Sequence, residues 1–194
     1  MDFTKHYLVK PGSKVRLARI DPGAGGGLKK DQVQAHIGRN VGRLDDLQYL
    51  LYAENKHALL IVLQAMDAAG KDGTIRHVMT GFSPQGCHVT SFKVPSEEER
   101  EHDFLWRVHK ETPRKGEIAI FNRSHYEDVL VVRVKNLAPR EVWMRRYDEI
   151  NAFEKHLAEN GTAILKLFLH ISKDEQKERL QARLRRANAP ARQL

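Results

Sequence analysis

The stretch that decides the fold is residues 59–74, which read LLIVLQAMDAAGKDGT. Its first five residues are all apolar, which is typical of a short parallel strand that is buried on both faces. The small residues that follow, including Gly70 and Gly73, favour a tight turn, and the pattern over 74–79 indicates a helix. A buried strand, a short turn and a helix in this order are the repeating unit of a parallel α/β sheet.

Outward from this stretch, apolar strands alternate with amphipathic helices. A helical spacing of apolar residues runs over 30–55, ahead of the first strand. Three more strands are predicted, at 88–94, 118–121 and 163–171. Later helices are predicted to begin near Ser96, Pro139 and Ser172, and Gly161 to end the second of these. We therefore expect an α/β fold in three layers, α/β/α, around a mostly parallel central sheet.

A chain of 194 residues is long enough for one domain with a full hydrophobic core, and its regions differ in pattern. Residues 1–29 contain chain-breaking glycine and proline, so we expect a peripheral segment there. Residues 30–171 carry the strand and helix pattern and form the predicted core. Residues 172–194 contain a basic helix, which we expect to form part of a lid, followed by a tail.

Composition excludes several classes of protein. The longest unbroken apolar stretch is 58–63. A membrane-spanning helix needs about 20 such residues. Cys87 is the only cysteine, so an intrachain disulfide and a cysteine-rich zinc site are excluded, and we expect this side chain in the core. The N-terminus also lacks the apolar core of a secretory signal, and these features together favour a cytoplasmic protein without membrane contact.

The charge balance favours polyanionic ligands. Lysine and arginine number 33 against 25 acidic residues, which gives a net charge of +8. Aromatic residues make up 7% of the chain and do not alternate with basic ones, so we expect no nucleic-acid partner. The polyanions that such an excess of positive charge favours as a class are nucleic acid, anionic lipid, nucleotides and polyphosphate, and the charge alone does not choose among them.

The turn after the first strand has the composition of a phosphate-binding loop. Small residues let backbone N–H groups close on phosphate oxygens, and Lys71 lies at the start of a helix whose dipole favours anions. The spacing resembles a Walker A loop, with Ala65 in place of its first glycine and Asp72 in place of Ser or Thr. The alternative is an ordinary glycine-containing turn. The predicted phosphate-binding residues here are Ala68, Ala69, Gly70, Lys71, Asp72 and Gly73.

Asp67 favours the functional interpretation of this loop. A carboxylate beside a bound phosphate is repelled unless it has a task. Asp67 could hold a Mg²⁺ ion that bridges phosphates, or it could orient an attacking phosphate. The alternative is a surface aspartate in a tight turn.

A second candidate segment follows the predicted strand 118–121, because ligands of parallel sheets bind beyond the carboxyl ends of the strands. Asn122 stands where a Walker B element has a carboxylate, and Arg123 can bind a phosphate through two N–H groups. His125 is interpreted as a structural residue without a part in the chemistry. Arg133 extends the positive charge, either as a phosphate ligand or as a solvated surface residue.

Three motifs in combination resemble the polyphosphate kinase 2 family. They are DAAGKDG at 67–73, GFSPQG at 81–86 and FNRSHYED at 121–128. The resemblance covers residues 30–184 and implies a P-loop kinase-like fold that is similar to thymidylate kinase. It also implies an enzyme that transfers a phosphoryl group between inorganic polyphosphate and a nucleotide (AMP, ADP or ATP), reversibly and with Mg²⁺ as cofactor.

The roles of single residues follow from this resemblance. It implies that Asp67 and Lys71 belong to the catalytic loop, that Asp67 is the metal ligand and that Arg123 binds phosphate. Many members carry Asp where this chain has Asn122, and Asn where it has Glu127. This pair resembles the subgroup that accepts nucleoside mono- and diphosphates, so both residues are expected to bind the nucleotide. We also expect a homo-oligomer.

The last part of the chain carries a basic helix. Arg179, Arg183 and Arg186 are four and three residues apart, so they share one helix face. Leu180 and Leu184 lie beside that face and are expected to pack the helix onto the domain. The basic face is either a solvated surface or a polyphosphate track. Members of the family continue beyond this helix into a lid, so we expect a truncated lid and slow turnover by this chain.

Three hypotheses are compatible with these observations. The first is an enzyme, a polyphosphate-dependent nucleotide phosphotransferase. The second is an ATP-dependent kinase of a small molecule, which would usually keep Ser or Thr at position 72 and an acid at position 122. The third is an inactive, truncated domain that binds polyanions.

Overall fold

The structure, a computed structural model, describes residues 3–25, 27 and 29–187. Its strands are β1 (Ala58–Ala65), β2 (Cys87–Thr90), β3 (Ile118–Asn122) and β4 (Thr162–Leu169). Its helices are α1 (Phe3–Tyr7), α2 (Lys30–Glu54), α3 (Lys71–Val78), α4 (Glu97–Glu101), α5 (Trp106–Lys110), α6 (Glu127–Val134), α7 (Arg140–Glu159) and α8 (Lys173–Ala187). Single turns of 3-10 helix lie at Leu17–Arg19, Met79–Gly81 and Pro84–Gly86.

The four strands form one parallel sheet in the order β2-β3-β1-β4. Leu60 of the central strand β1 lies between Ala119 of β3 and Ile164 of β4. Because a central strand of a layered fold has helices above and below it, the side chains at 60–63 are buried whichever face they point to. The predicted α/β fold with a mostly parallel sheet is confirmed.

Each face of the sheet packs against helices, which gives the expected three layers. On one face, β1 and β3 contribute Leu60, Val62, Ala119 and Phe121, and these pack with Val108 of α5 and with Phe153 and Leu157 of α7. On the other face, the buried residues are Ile61, Leu63, Ile118 and Ile120. Partly buried Leu51 of α2 and Ile75 of α3 cover that second face, together with Cys87. Cys87 therefore packs against the core, and burial raises the pKa of its thiol.

Two helical regions differ from the expectation. The capping box at Ser96 is present, with the Glu99 N–H donating to Ser96 Oγ at 3.2 Å, but the helix that it begins ends after one turn. The carboxylate of Asp103 accepts a hydrogen bond from the Leu105 N–H at 2.9 Å, and this local bond competes with helix continuation. The chain then re-enters a helix at Trp106. Helix α6 was not predicted, because its sequence EDVLVVRV is rich in β-branched valine.

Helix α7 has the expected limits within a residue. Pro139 is its N-cap rather than a residue of its first turn, and Gly161 follows the C-cap Asn160 with a φ of +91°. Glycine is favoured there because other residues rarely adopt a positive φ.

The regions outside the core are more exposed. The described residues with side-chain positions among 1–29 are all exposed, and the Tyr7 hydroxyl donates to the Ala24 carbonyl at 2.7 Å. The predicted tail at 188–194 lies outside the described residues. No helix in the described ranges is long and apolar enough to cross a membrane.

Candidate active site

The two candidate segments lie side by side at one edge of the sheet. Leu63 of β1 is in register with Asn122, the last residue of β3, so the turn after β1 and the turn after β3 leave the sheet next to each other. In open parallel sheets this carboxyl edge is where ligands bind. The topology therefore brings Asp67, Lys71 and Arg123 to the same edge.

The turn after β1 has the shape of a phosphate-binding loop. Ala68 and Gly70 have φ values of +64° and +102°, and α3 begins directly afterwards at Lys71. Ala68 and Ala69 are each only 7% exposed, which holds the loop against the domain. The first N–H groups of α3 have no partner inside the helix, so they are free to meet an anion.

Lys71 and Asp67, two charged residues of the loop, differ in their surroundings. Lys71 is partly buried, and its Nζ lies 3.5 Å from the Ala65 carbonyl oxygen. Asp67 is exposed, and among the described residues no hydrogen bond or ion pair engages its carboxylate. The carboxylate is therefore available to a cation or a ligand in front of the loop.

Asn122 and Asp72 form a direct contact that sequence reasoning missed. The Nδ2 group of Asn122 donates to Oδ1 of Asp72 at 2.6 Å. Two of the three positions at which this chain departs from the Walker patterns are therefore partners of each other. No local pattern could have shown this, because fifty residues separate them.

Arg123 is the first residue after β3 and begins the second turn. Its φ is +70°, in the left-handed region that non-glycine residues rarely adopt, and its side chain is exposed. The next two residues, Ser124 and His125, are fully buried. Ser124 Oγ accepts a hydrogen bond from Gln64 Nε2 at 2.8 Å, which ties this turn to the end of β1.

Helix α8 lies over the phosphate-binding loop. Arg179 Nη1 donates to the Ala68 carbonyl at 3.2 Å, and Gln176 Nε2 donates to the Asp67 carbonyl at 2.9 Å. Arg179 Nε also binds Glu175 Oε1 at 2.6 Å. A Cβ atom at position 70 would lie 3.1 Å from Arg179 Nη1, the end of a flexible side chain, so the φ of +102° is the stronger reason for glycine there.

The contact between α8 and the domain is polar rather than apolar. Leu180 and Leu184 are 41% and 64% exposed, so the expectation that they pack the helix onto the domain is wrong. The hydrogen bonds of Gln176 and Arg179 to loop carbonyls hold the helix instead. Gln176 was not predicted, since an isolated glutamine in a charged helix gives no sequence signal.

Glu127 and Arg133 occupy opposite ends of α6. Glu127 is the first residue of the helix, close behind the Arg123 turn, and it is partly buried. Arg133 is exposed six residues further along, about 9 Å for an α-helix. Its guanidinium lies 5.1 Å from the ring centroid of Trp143. Of the predicted phosphate ligands, Arg133 is therefore farther from the carboxyl edge than Arg123.

A cleft opens beside the Asn122–Asp72 contact. Its volume is about 550 Å³, which is within the usual range of roughly 300–1,000 Å³ for small-molecule sites. Asp72 and Asn122 lie at its phosphate-loop end. The walls are mainly apolar and come from α3, the two following 3-10 turns, β2 and β3: Ile75, Met79, Phe82, Pro84, Cys87, Val89 and Ile120.

The donor set at this edge suits Mg²⁺ bound jointly with phosphates. Within the described residues there is no group of three or more His, Cys, Asp or Glu side chains that could hold a metal alone. Mg²⁺ in kinases is usually held by one or two carboxylates together with substrate phosphates and water. The unengaged Asp67 carboxylate in front of the loop matches that requirement.

The buried central strand, the tight small-residue turn and the lysine that begins α3 define a P-loop kinase-like α/β fold. Within that class, the chain belongs to the polyphosphate kinase 2 family. The family model described as Polyphosphate kinase 2 (PPK2) matches residues 27–194.

Known relatives agree with this assignment. The chain is 58% identical over 183 residues to the AMP/ADP-polyphosphate phosphotransferase of Meiothermus ruber, covering 93% of this chain and 68% of that protein. It is 48% identical over 197 residues to the ADP-polyphosphate phosphotransferase of Rhodopseudomonas palustris, covering 93% and 67%. The crystal structure of polyphosphate kinase 2 from Arthrobacter aurescens TC1 superposes with a TM-score of 0.85 at 47% identity, over 90% of this chain and 64% of that one. The chain thus spans about two thirds of these relatives.

Proposed function

We propose that this protein transfers the terminal phosphoryl group of inorganic polyphosphate to AMP or ADP, reversibly and with Mg²⁺. The observation that carries the proposal is that Lys71 and Arg123 lie at the same carboxyl edge of the sheet and that Arg179 contacts the loop at Ala68. The names of the relatives from Meiothermus ruber and Rhodopseudomonas palustris support the two substrates.

In the proposed reaction, a terminal phosphate oxygen of the nucleotide attacks the last phosphorus of polyphosphate. The bond from that phosphorus to the bridging oxygen breaks, so the nucleotide gains one phosphoryl group and polyphosphate becomes one unit shorter. Charge spreads over the transferred group in the transition state, and fixed positive groups stabilise it. Lys71 and Arg123 would supply that charge from the two sides of the carboxyl edge.

Asp67 would hold the metal ion in this scheme. A bound Mg²⁺ would supply positive charge that neutralises the phosphates. The N–H groups at the start of α3 and the turn at Ala68 and Ala69 would bind the same phosphates. Gly70 and Gly73 would leave room for that approach, and Asp72 would act through its bond to Asn122.

The acceptor nucleotide would lie along Asn122 and Glu127. Asn122 forms one end of the cleft, whose apolar walls suit a nucleobase, and this supports an orientation in which the phosphates point to Lys71. Polyphosphate would extend from the loop along α8, past Arg179 and Arg183, where its repeating charge meets repeating guanidinium groups. Arg133 would bind polyphosphate further from the reacting phosphorus.

The same proposal includes the oligomeric state of the protein and its location in the cell. Large apolar side chains of α2 are exposed, with Tyr49 at 73% and Leu50 at 60%, and this supports a homo-oligomer. A nucleotide phosphotransferase would act in the cytoplasm, where its nucleotide substrates are found.

The two alternative functions differ from the proposal in the phosphoryl donor that they use or in whether any turnover occurs. An ATP-dependent small-molecule kinase would use ATP in place of polyphosphate, but the Asn122–Asp72 bond occupies the positions at which such kinases usually hold Mg²⁺. An inactive domain would bind polyphosphate without turnover. Because this chain spans about two thirds of the length of its relatives, the experiment includes that outcome.

One experiment separates the three functions. The purified chain is incubated with AMP or ADP, polyphosphate and Mg²⁺, and ADP and ATP are measured. Parallel reactions omit polyphosphate, supply ATP in its place or add EDTA. Formation of ADP and ATP only in the complete reaction supports the proposal. Polyphosphate binding without product favours the inactive domain. Transfer to the acceptor from ATP, but not from polyphosphate, favours the ATP-dependent kinase.

A further inference from the structure

Behind the Arg123 turn lies a group of four polar side chains that the proposed mechanism does not use. We call them the Glu154 cluster: Glu154 of α7, Lys166 of β4, and His125 and Tyr126 from the turn after β3. Glu154 Oε1 lies 3.2 Å from His125 Nε2 and 2.7 Å from the Tyr126 hydroxyl. Glu154 Oε2 lies 2.6 Å from Lys166 Nζ.

The centre of the cluster is buried, whereas Tyr126 is partly buried and the Lys166 side chain is exposed at its edge. His125 is fully buried and Glu154 is only 8% exposed. His125 Nδ1 has no partner among the described residues, which fits the tautomer that carries its hydrogen on Nε2 and donates to Glu154. Burial would raise the pKa of Glu154, but hydrogen bonds from His125, Lys166 and Tyr126 outweigh it and lower the pKa to about 2. Glu154 is therefore ionised throughout the physiological range.

Stability alone is a weak reason for such a cluster. Replacing buried ionic groups by apolar side chains of similar volume is often neutral or stabilising. The surroundings of His125 are aromatic, with Phe121 and Phe153 at centroid distances of 6.3 and 5.9 Å, so an apolar residue would fit there. What the polar groups add is a fixed geometry for the chain segment that carries them.

That segment begins with Arg123. A left-handed backbone at a non-glycine residue persists only where its neighbours hold it, and such residues occur often at functional sites. Each of the three residues after Arg123 is anchored: Ser124 by Gln64, and His125 and Tyr126 by the two bonds to Glu154 Oε1. One carboxylate thus fixes two of the three anchors.

We propose that Glu154 is a positioning residue, which keeps Arg123 beside the phosphate-binding loop by holding His125 and Tyr126. The inference rests on the proposed function, in which Arg123 stabilises the transferred phosphoryl group. It assigns Glu154 no contact with substrate. Its effect on the reaction passes entirely through the Arg123 turn.

The test compares Glu154→Gln with Glu149→Gln, a matched change on the same helix at an exposed pair with Arg145. The glutamine amide cannot accept from His125, Tyr126 and Lys166 together. We expect kcat for polyphosphate-dependent transfer to fall by about 10- to 100-fold, because small displacements of a catalytic group are costly. KM for the nucleotide and the kcat of Glu149→Gln should stay close to the parental values.

A double-mutant cycle with Arg123→Gln distinguishes positioning from a general loss of structure. If Glu154 acts through Arg123, adding Glu154→Gln to Arg123→Gln lowers kcat little further, so the two losses are not additive. Additive losses would overturn the proposal. Tyr126→Phe removes one donor to Glu154 and keeps the ring, so we expect a smaller loss of kcat that is also not additive with Arg123→Gln. This variant replaces Glu154→Gln in the test if Glu154→Gln does not fold.

A second readout does not need activity. Trypsin cleaves after arginine, and the rate of cleavage between Arg123 and Ser124 reports how often this turn opens. Glu154→Gln should raise that rate at least about tenfold, whereas Glu149→Gln should not. An unchanged rate contradicts the proposal. Absence of transfer by the parental chain would contradict the proposed function instead, and the cleavage rates would still decide whether Glu154 holds the turn.

Discussion

Asn122 donates a hydrogen bond from Nδ2 to Oδ1 of Asp72 across 2.6 Å, and thereby joins the end of β3 to the first turn of α3. In the usual P-loop arrangement a hydroxyl at position 72 and a carboxylate at position 122 share the metal. Here the carboxylate is at 72 and the neutral amide is at 122. In this chain a direct amide–carboxylate hydrogen bond therefore joins the end of β3 to the start of α3, in place of a shared metal ion.

The hydrogen bond between Asn122 and Asp72 predicts what happens when the two residue types are swapped. Asn122→Asp places a second carboxylate against Asp72, so the bond is lost and like charges repel. We expect kcat/KM to fall about tenfold or more, since a hydrogen bond to a charged group contributes roughly 1.5–3 kcal/mol. Asp72→Asn in the same chain supplies a new donor and should recover most of the loss. A double variant as impaired as Asn122→Asp would show that the pairing is not what matters.

Asp67 should determine the dependence on metal. Asp67→Asn keeps the size of the side chain but removes the carboxylate that no described residue engages. We expect the Mg²⁺ concentration for half-maximal activity to rise at least about tenfold, because an amide oxygen is a weaker ligand for a hard cation. Mg²⁺ titrations of the parent and of Asp67→Asn that overlay would contradict the assignment, provided that both proteins unfold at the same temperature.

Arg183 tests the polyphosphate track along α8. Arg183→Gln should weaken polyphosphate binding several-fold more than nucleotide binding, and it should flatten the fall in affinity as salt rises, because each phosphate contact releases counterions. Lys177→Gln, an exposed change on the same helix, serves as the control. Equal weakening of both ligands by Arg183→Gln would show that polyphosphate follows another path.

Glu154 makes the free energy of unfolding depend on pH in the acid range. Its pKa is about 2 in the folded chain and near the ordinary value of 4.5 when unfolded, so the unfolded state binds more protons between these values. The free energy of unfolding contributed by Glu154 is complete above pH 5 and is lost as the pH falls toward 2. The difference in unfolding free energy between the parent and Glu154→Gln should therefore shrink over this range. A constant difference from pH 6 to pH 2.5 would contradict the low pKa.

The sequence predicted best what is encoded locally. The apolar run at 59–63, the small-residue turn and the lysine after it identified β1, the loop and the start of α3. Valine-rich α6 was missed because its helical state depends on packing against α7, and tertiary contact overrode a weak propensity.

Contacts between distant residues could not be predicted in this way. Asn122 and Asp72 were both recognised as departures from a motif, but only the parallel sheet brings them together. Glu154 gave no signal in an amphipathic helix, although its partners at 125 and 126 lie inside a recognised motif. Such pairs depend on strand order and helix placement, which a single sequence does not specify.

The central claim is that the loop after β1 binds the phosphoryl group that is transferred, and Lys71→Met tests it most directly. Methionine keeps the length of the side chain and removes the charge, while Lys155→Met removes an exposed lysine of α7 as a control. The measurement is the rate at which ADP is converted to ATP with polyphosphate and Mg²⁺. We predict that Lys71→Met lowers this rate by at least about a hundredfold, as the loss of one preorganised charge does, and that Lys155→Met leaves it unchanged. A folded Lys71→Met protein that turns over at the parental rate would contradict the account.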